Sequence, residues 1–284
     1  PVAASGAIRF AKQAQFHPLK FAAAISEGLH IYEQTKAREF IGNTVVTDGG
    51  RITASKIIMA THFPIINKHG AYFLKMYQQR SYVMALEHAG KVDGMYLGAE
   101  QDGLSFRTQG DWLLLGGGSH RTGKQGRGWE PLKAFAREEY PNARIRYRWA
   151  TQDCMTLDGV PYIGRYSRRS PGLYVATGFN KWGMSASMAA SMILGDLVQG
   201  RGNAYASVFD PSRTILRPQL FYNSVESAAN LCKLSKPRCP HLGCALHWNP
   251  RERSWDCPCH GSRFGENGEL LDNPATDGLR NNTR

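Results

Sequence analysis

Two short loops near the C-terminal end each carry one cysteine and one histidine, and they constrain this chain more than any other feature. The first loop reads Cys239-x-His241 and the second reads Cys257-x-x-His260, with fifteen residues between them. Two thiolates and two imidazoles suit a [2Fe–2S] centre in which one iron has sulfur ligands and the other has nitrogen ligands. Exchanging two thiolates for neutral imidazoles removes negative charge, so such a centre is reduced more easily than an all-cysteine one. The pattern predicts a protein that carries single electrons.

Zinc is the alternative ion for these residue types, because it binds cysteine and histidine in tetrahedral sites. A second C-x-x-H pair makes one such site conceivable, with the ligands Cys244, His247, Cys257 and His260. That set leaves three residues of the two loops without a role, namely Cys239, His241 and Cys259. The sequence favours iron–sulfur chemistry, and a zinc-stabilised interaction module stays open as an alternative.

The stretch from Arg238 to Ala275 resembles the cluster-binding part of a Rieske iron–sulfur protein. By that resemblance, Cys239 and Cys257 bind one iron, and His241 and His260 bind the other. The resemblance also implies a disulfide between Cys244 and Cys259, which would tie the two ligand loops together. It implies close backbone approaches at Gly243 and Gly261, and a covering loop at Asn273-Pro274-Ala275.

Composition and charge limit the class of protein. A chain of 284 residues with 42% hydrophobic and 20% charged residues can form two globular domains. The net charge of +12 comes from scattered basic residues, which argues against nucleic-acid binding and fits an acidic redox protein as electron acceptor. No run of apolar residues is long enough to span a membrane, and the start of the sequence has no secretory pattern. Five of the six cysteines follow residue 230, which is no secreted disulfide framework, so we expect a cytoplasmic protein.

The longer first part of the chain alternates between strand and helix patterns. The sequence predicts helices over Leu19–Gly28 and Trp129–Tyr140, and a helix that begins after Gly178–Met184. It predicts strands at Leu29–Glu33, Ala37–Ile41, Thr44–Thr47, Arg51–Thr53, Lys56–Thr61 and Leu173–Thr177, with more strands between Ser81 and Gly117. The run Ile57–Thr61 is apolar throughout, as is typical of a strand covered on both faces.

This order resembles the later two-thirds of a FAD-dependent oxidoreductase of the D-amino-acid oxidase and glycine oxidase type. Three features carry the resemblance: the apolar strand Ile57–Thr61, the turn Asp158-Gly159-x-Pro161-x-x-Gly164, and the strand-to-helix turn that begins at Gly178. The resemblance implies a helix start near the flavin, where N–H groups would stabilise negative charge on the reduced ring. The residues that it places at FAD are Ala37, Ala60, Thr61, Asp158, Pro161, Gly164, Gly178, Phe179, Trp182, Gly183 and Met184.

The sequence departs from that family in three places. It has no G-x-G-x-x-G, the motif that cradles the FAD pyrophosphate, so the chain is expected to be a fragment or to have lost FAD binding. It has no arginine between Arg148 and Asp158 to bind a substrate carboxylate, which leaves Arg80, His62 and Lys181 as candidate catalytic residues, with Lys75 and Tyr77 as further pocket candidates. Cys239 follows Arg213 by only 26 residues, and the helical or irregular segment Asn223–Lys236 cannot supply the usual base strands of a Rieske module.

The predicted architecture is an α/β (α+β) flavoprotein fold with a mixed-sheet substrate domain, followed by a small β-rich Rieske module. The boundary is placed between residues 1–211 and 212–284. The predicted function is that of an oxidoreductase, in which FAD takes electrons from a reduced small-molecule substrate and a [2Fe–2S] cluster receives them. An alternative from another class is a non-catalytic electron-transfer protein with a vestigial flavin site.

Overall fold

Four β-sheets and six helices make up the part of the chain that the computed structural model describes, residues 5–66, 69–100, 103–214, 216–234 and 237–279. The strands are β1 (Ala37–Ile41), β2 (Thr44–Thr47), β3 (Gly50–Thr53), β4 (Ile57–Met59), β5 (Met76–Glu87), β6 (Met95–Leu97), β7 (Ser105–Gln109), β8 (Trp112–Arg121), β9 (Arg144–Thr156), β10 (Tyr162–Arg165), β11 (Leu173–Thr177), β12 (His247–Asn249), β13 (Ser254–Asp256), β14 (Arg263–Phe264) and β15 (Leu270–Asp272). The helices are α1 (Pro18–Ile25), α2 (Tyr72–Lys75), α3 (Glu130–Glu139), α4 (Gly183–Val198), α5 (Ala206–Phe209) and α6 (Pro218–Cys232). None of the described helices combines the length and the apolar character that crossing a membrane would require.

A mixed three-stranded sheet, in the order β10-β11-β4, positions the segments that reach the site. The central strand β11 pairs antiparallel with β10 and parallel with β4. Its apolar residues are buried, because α4 packs on one side through Ile193 and Leu194 while Met59 and Tyr72 belong to a core on the other. Since parallel strands end at the same edge of a sheet, the segment after β4 and the turn after β11 lie side by side.

A five-stranded antiparallel sheet, in the order β6-β7-β8-β5-β9, forms the larger platform. Side chains of the long strand β5 alternate between buried and half-buried over most of its length. At one end, the buried side chains are Tyr82, Met84 and Leu86, which form a core with Leu132 of α3. Between the buried Met76 at the other end and Tyr82, two buried side chains are polar, Gln78 and Arg80, and they contact the Rieske region.

The Rieske region is a four-stranded antiparallel sheet, β12 to β15 in sequence order, with its cysteine- and histidine-bearing loops at one end. The two loops have the same backbone hydrogen bonds. Cys239 N donates to Cys244 O and Gly243 N donates to Cys239 O, while Cys257 N donates to Ser262 O and Gly261 N donates to Cys257 O, each at 2.9 Å. Gly243 and Gly261 have φ angles of 78° and 83°, which explains the glycine in each loop. Helix α6 supports the first loop, because Asn230 O accepts from Ala245 N at 3.0 Å.

The α/β fold with a mixed sheet and a β-rich Rieske region is as predicted, with local differences. The run Ile57–Thr61 forms a strand only over Ile57–Met59 and is not covered on both faces, because Ile58 is 49% exposed. The predicted strand Leu29–Glu33 is wrong, because this segment has no neighbouring strand among the described residues and Leu29 and Ile31 are exposed. Of the segment 223–236, residues 223–232 belong to α6, which begins earlier, at Pro218; residues 233 and 234 follow the helix, and residues 235 and 236 lie outside the described ranges.

Candidate metal centre and flavin site

Cys239 and Cys257 bring two buried thiols together from the two ligand loops. Both side chains are at most 2% exposed. The thiols hydrogen-bond to each other, which lowers the pKa of Cys239 and, together with burial, raises the pKa of Cys257. The Ser262 side chain hydrogen-bonds to Cys239 as well. Metal binding displaces thiol protons, so two adjacent cysteine sulfur atoms of this kind can become a pair of thiolate ligands.

His241 and His260 form the second pair, with ring centroids 5.0 Å apart and planes at 85°. Burial lowers the pKa of His241 to about 4 and that of His260 to about 3, so both rings are neutral at pH 7, the form that binds metal. His260 is 2% exposed, and neither of its ring nitrogens makes a hydrogen bond of normal geometry to a described residue. A buried, unpaired imidazole nitrogen costs stability, and a metal ligated there would remove that cost. The four side chains fit a cluster with sulfur ligands on one iron and nitrogen ligands on the other.

The remaining cysteines of the loops are joined in a disulfide, Cys244–Cys259, as the family resemblance implies. Their sulfur atoms lie within 4.8 Å of the Cys257 sulfur, but the disulfide occupies them. His247, the fourth member of the alternative zinc set, contacts Gly123 O through Nδ1 at 2.6 Å and Lys233 Nζ through Nε2 at 3.2 Å. The structure therefore does not present Cys244 and His247 as free zinc donors.

The flavoprotein part of the chain covers the histidine side of this centre. The Phe63 ring centroid lies 6.4 Å from that of His241 and 6.2 Å from that of His260. The Phe73 ring lies 6.1 Å from that of His260. Gln78 Nε2 donates to His260 O at 2.8 Å, and Gln152 Nε2 donates to Gly261 O at 2.9 Å. Aromatic rings exclude water from the imidazoles, and two strand glutamines hold the second ligand loop.

Arg121, at the end of β8, brings a positive charge to the same loop. Its Nε donates to Pro258 O at 3.1 Å, and a terminal nitrogen donates to Cys259 O at 3.3 Å. The guanidinium also stacks on Tyr77, with Cζ 4.9 Å from the ring centroid. Burial lowers the pKa of Arg121, yet an arginine remains charged at neutral pH. This cation favours negative charge on the neighbouring centre and therefore favours its reduced state.

A buried ion network joins the two parts of the chain beside the second loop. Glu252 accepts from Arg80, from Arg263 at 2.8 Å and from the Tyr82 hydroxyl at 2.9 Å. Burial opposes ionisation of Glu252, but the Arg80 hydrogen bond and the two positive charges lower its pKa. Arg263 also donates to Asp256 at 3.0 Å. Arg80, a candidate substrate residue, uses its guanidinium in this network.

An apolar cavity of about 650 Å³ lies where the segment after β4, the turn after β11 and helix α4 meet. Of the residues predicted at FAD, Ala60, Gly178 and Phe179 line it, together with His62 and Thr177. Its size and apolar lining are those of a cofactor pocket, at the strand ends where α/β sheets bind ligands. The lining fits the ring system of a flavin, while the pyrophosphate cradle is a motif that this sequence does not contain.

The other residues predicted at FAD lie outside this lining. Asp158 forms a bidentate ion pair with Arg213, with both N–O distances 2.8 Å, and these bonds lower its pKa. Pro161 O accepts from the same arginine at 3.1 Å, and a Cβ on Gly164 would lie 3.0 Å from Pro211. The rest take other positions: Ala37 is in β1, Thr61 O accepts from Asn273, Gly183 begins α4, and Trp182 and Met184 are exposed.

Of the candidate pocket residues, His62 and Arg80 line the two cavities of this region, whereas Lys181, Lys75 and Tyr77 lie outside both linings. His62 lines the apolar cavity and also a polar one of about 680 Å³, whose lining includes Arg80 and Gln152, and burial lowers its pKa. Lys181 is exposed and donates to Ser119 Oγ at 2.7 Å. Lys75 donates to Pro211 O at 2.7 Å, and burial lowers its pKa to about 8. Tyr77 stacks with Arg121, and burial raises its pKa.

Sequence reasoning missed the residues that connect the two parts of the chain, above all Phe63, Phe73, Gln78 and Arg121. Each is a common residue type on a strand, helix or loop, and none belongs to a recognisable motif. The one available signal is on β5, where Gln78 and Arg80 continue the buried face of Tyr82 and Met84. Polar residues in register with an apolar face indicate a second polar surface packed against the strand.

Comparison with known families agrees with this arrangement. The family model for FAD dependent oxidoreductases (DAO) matches residues 1–197, and the model for the Rieske [2Fe–2S] domain matches residues 223–282. The DAO family implies FAD, and the Rieske domain implies a [2Fe–2S] cluster.

Individual proteins and solved structures resemble either the flavoprotein part, the Rieske part or both. One relative is a protein of Bacillus subtilis (strain 168) with the provisional name Rieske 2Fe-2S iron-sulfur protein YhfW. It is 36% identical over an alignment of 341 residues, and the match covers 99% of this chain and 67% of the relative. The cytochrome b6-f complex iron-sulfur subunit 3 of Nostoc sp. is 29% identical over 92 residues, 32% of this chain and 47% of that protein. The structure of glycine oxidase from Geobacillus kaustophilus superposes with a TM-score of 0.57 at 23% identity, over 68% of this chain and 56% of that one. The chain thus spans just over half of that solved structure. It belongs to the FAD-dependent oxidoreductase family and carries a Rieske [2Fe–2S] domain over residues 223–282.

Proposed function

We propose that this chain takes electrons from a reduced small-molecule substrate through FAD and passes them singly to its own [2Fe–2S] cluster. One observation carries the proposal: both predicted histidine ligands contact a phenylalanine of the flavoprotein part, and His260 is buried there while His241 is half-buried. His260 is 2% exposed, and Phe63 contacts both imidazoles. An electron that enters or leaves through His260 therefore passes by residues of the flavoprotein part.

The chain's own residues have separate roles in this scheme. Cys239 and Cys257 hold one iron, and His241 and His260 hold the other. Bound FAD supplies the ability to accept two electrons together and release them one at a time. Phe63, whose ring contacts both histidines, excludes water there, which keeps the local dielectric constant low and strengthens the effect of Arg121 on the centre.

Several assignments extend the proposal. We place the domain boundary between residues 211 and 212, within the interval that neither family model covers. We assign Ala60, Gly178 and Phe179 to the flavin ring, and we keep Thr61, Asp158, Pro161 and Gly164 as supports of that region. His62 is the candidate substrate residue, because it lines both cavities, and Arg80 and Lys181 remain weaker candidates. An acidic redox protein as acceptor is a further proposal, supported by the charge of +12. A cytoplasmic location is proposed as well, from the distribution of the six cysteines.

An anaerobic reduction experiment tests the proposal. The purified chain is assayed for iron and zinc, loaded with FAD, and illuminated with a photoreductant that reduces flavin. We expect flavin bleaching followed by the low-average-g EPR signal of a reduced mixed-ligand cluster. A Cys257→Ser variant, which removes one iron ligand, should bleach without that signal.

Three outcomes contradict the proposal in distinguishable ways. Zinc without iron would establish the interaction module. Iron without bound flavin would establish an electron-transfer protein with a vestigial flavin site. Bound flavin that is reduced while the cluster remains oxidised would exclude internal transfer.

A further inference from the structure

One four-residue segment, 60–63, connects the apolar cavity to the predicted cluster ligands. Ala60 and His62 line the cavity. The next residue, Phe63, is fully buried, and its ring meets the rings of His241 and His260 edge-on, with centroids 6.4 and 6.2 Å away. The chain therefore runs from the flavin candidate site to the histidines within a single covalent stretch.

The segment is held rigidly in this position. His62 has a φ angle of 64°, a left-handed conformation that turns the backbone sharply between the cavity and the histidines. Thr61 Oγ1 donates to Phe63 O at 2.8 Å, Thr177 Oγ1 donates to His62 O, and Asn273 Nδ2 donates to Thr61 O. A non-glycine residue in this conformation persists only where its surroundings fix it, and such strain concentrates at functional sites. One of these bonds comes from β11, beside the cavity, and another comes from the loop that covers the cluster site.

Phe73 provides a contrast within the same interface. Of the two predicted histidine ligands, its ring contacts His260, with the centroids 6.1 Å apart and the planes at 86°. Its other surroundings are a separate cavity lined by Gly70 and Ser167, rather than the apolar cavity beside α4. Among the described aromatic residues, Phe63 is thus the one whose ring contacts both histidines and whose segment lines the flavin candidate site.

We propose that Phe63 is the bridging residue for electron transfer between flavin and cluster, which rests on the function proposed above. One electron passes from reduced FAD to the oxidised cluster in each event, and the proton that the flavin releases goes to solvent. The second electron follows after an external one-electron acceptor, ferricyanide in the assay, has reoxidised the cluster. Phe63 is not oxidised or reduced; its ring fills the space between the two sites and couples them.

The test compares Phe63→Leu with Phe73→Leu in the full chain loaded with FAD and cluster. The first readout is the rate at which the cluster EPR signal grows after a flash that reduces the flavin. The second is the EPR spectrum after dithionite reduction, which reports an intact cluster without any flavin. Because leucine leaves part of the ring volume empty, we expect Phe63→Leu to slow transfer by about tenfold and Phe73→Leu to leave it within about twofold of the parent rate. Both should keep the parent EPR spectrum.

The outcomes separate this inference from the function beneath it. If the parent chain transfers electrons and Phe63→Leu does not change the rate, the bridging role of Phe63 is overturned while the proposed function stands. Equal slowing in both phenylalanine variants also overturns it, because the effect then belongs to packing around His260. No transfer in the parent chain overturns both proposals. If Phe63→Leu fails to bind the cluster, Phe63→Met, which fills more of the space, takes its place under the same criteria.

Discussion

His260 combines the properties expected of a metal ligand. It is buried, neutral at pH 7, and its two ring nitrogens lack hydrogen bonds of normal geometry to described residues. His247, in the same domain, has both nitrogens in contact with protein groups, Gly123 O and Lys233 Nζ. The two histidines therefore form a matched pair for testing ligation.

We expect His260→Gln to abolish the low-average-g EPR signal and to lower the iron content, because an amide does not replace imidazole as a ligand to iron. His247→Gln should keep both, since that ring lies outside the predicted ligand set. The measurement is EPR after dithionite reduction, with iron quantified on the same sample. A normal cluster signal in His260→Gln would remove this residue from the centre.

Lys75 adds a prediction about pH. Its folded pKa of about 8 lies below its ordinary value of 10.5, so the folded state holds fewer protons on this group than the unfolded state between those pH values. The free energy of unfolding therefore rises with pH in this window, and the gain is lost as pH falls through 8. We expect the unfolding free energy of the parent minus that of Lys75→Met to grow from pH 8 to about pH 10. Above that pH, tyrosines of the unfolded state begin to ionise and would obscure the comparison. A difference that stays constant in urea titrations across this range would contradict the assignment.

At the scale of elements, β5 shows what the sequence reveals and what it conceals. The cysteine and histidine spacing identifies the ligand loops because all of the required chemistry is local. The apolar strands β4 and β11 are predictable for the same reason. Gln78 of β5, by contrast, meets His260 across 182 residues of sequence. Its local pattern is the same whether it faces water or another domain, so only the folded chain reveals the contact.

The turn after β8 contains a close approach that can be tested with glycine variants. Gly123 has a φ of 77°, and a Cβ there would lie 2.4 Å from Pro258 N in the second ligand loop. Gly110 has a similar φ of 60°, but a Cβ there would meet nothing within 4 Å. We expect Gly110→Ala to cost about 1 kcal/mol from backbone strain alone, and Gly123→Ala to cost more and to lower iron content. Equal unfolding midpoints and equal iron contents for the two variants would show that the contact is unimportant.

At the scale of the whole molecule, the interface compensates for a small Rieske region. Its four-stranded sheet lies on α6 and on the polar end of β5, and the network around Glu252 closes one side. The sequence indicated too few base strands before Cys239, and the structure supplies a helix and part of another sheet instead. The dependence of one part on the other was not predictable, because it arises from contacts between distant segments.

Two arginines form ion pairs across this interface, one in a buried pair and one at the surface. The stability that each contributes can therefore be compared directly. Arg80 pairs with Glu252, and both side chains are less than 10% exposed; Arg38 pairs with Asp277 at the surface. Removing one partner of a buried ion pair costs about 3–5 kcal/mol, whereas solvent and salt screen an exposed pair and leave it little net stabilisation. We expect Arg80→Met to lower the unfolding free energy by the larger amount and Arg38→Met by the smaller one, as measured by urea unfolding. Similar losses for the two variants would mean that Glu252 remains fully compensated by Arg263.

The covered histidines have a consequence for how the holoprotein is made. Because Phe63, Phe73 and Gln78 of the flavoprotein half pack over the buried His260, we expect iron and sulfide to reach that ligand most readily before the two halves dock. Apoprotein that has closed around an empty centre would then resist reconstitution until it is partly unfolded. Maturation and domain closure are, on this view, successive steps of one assembly process.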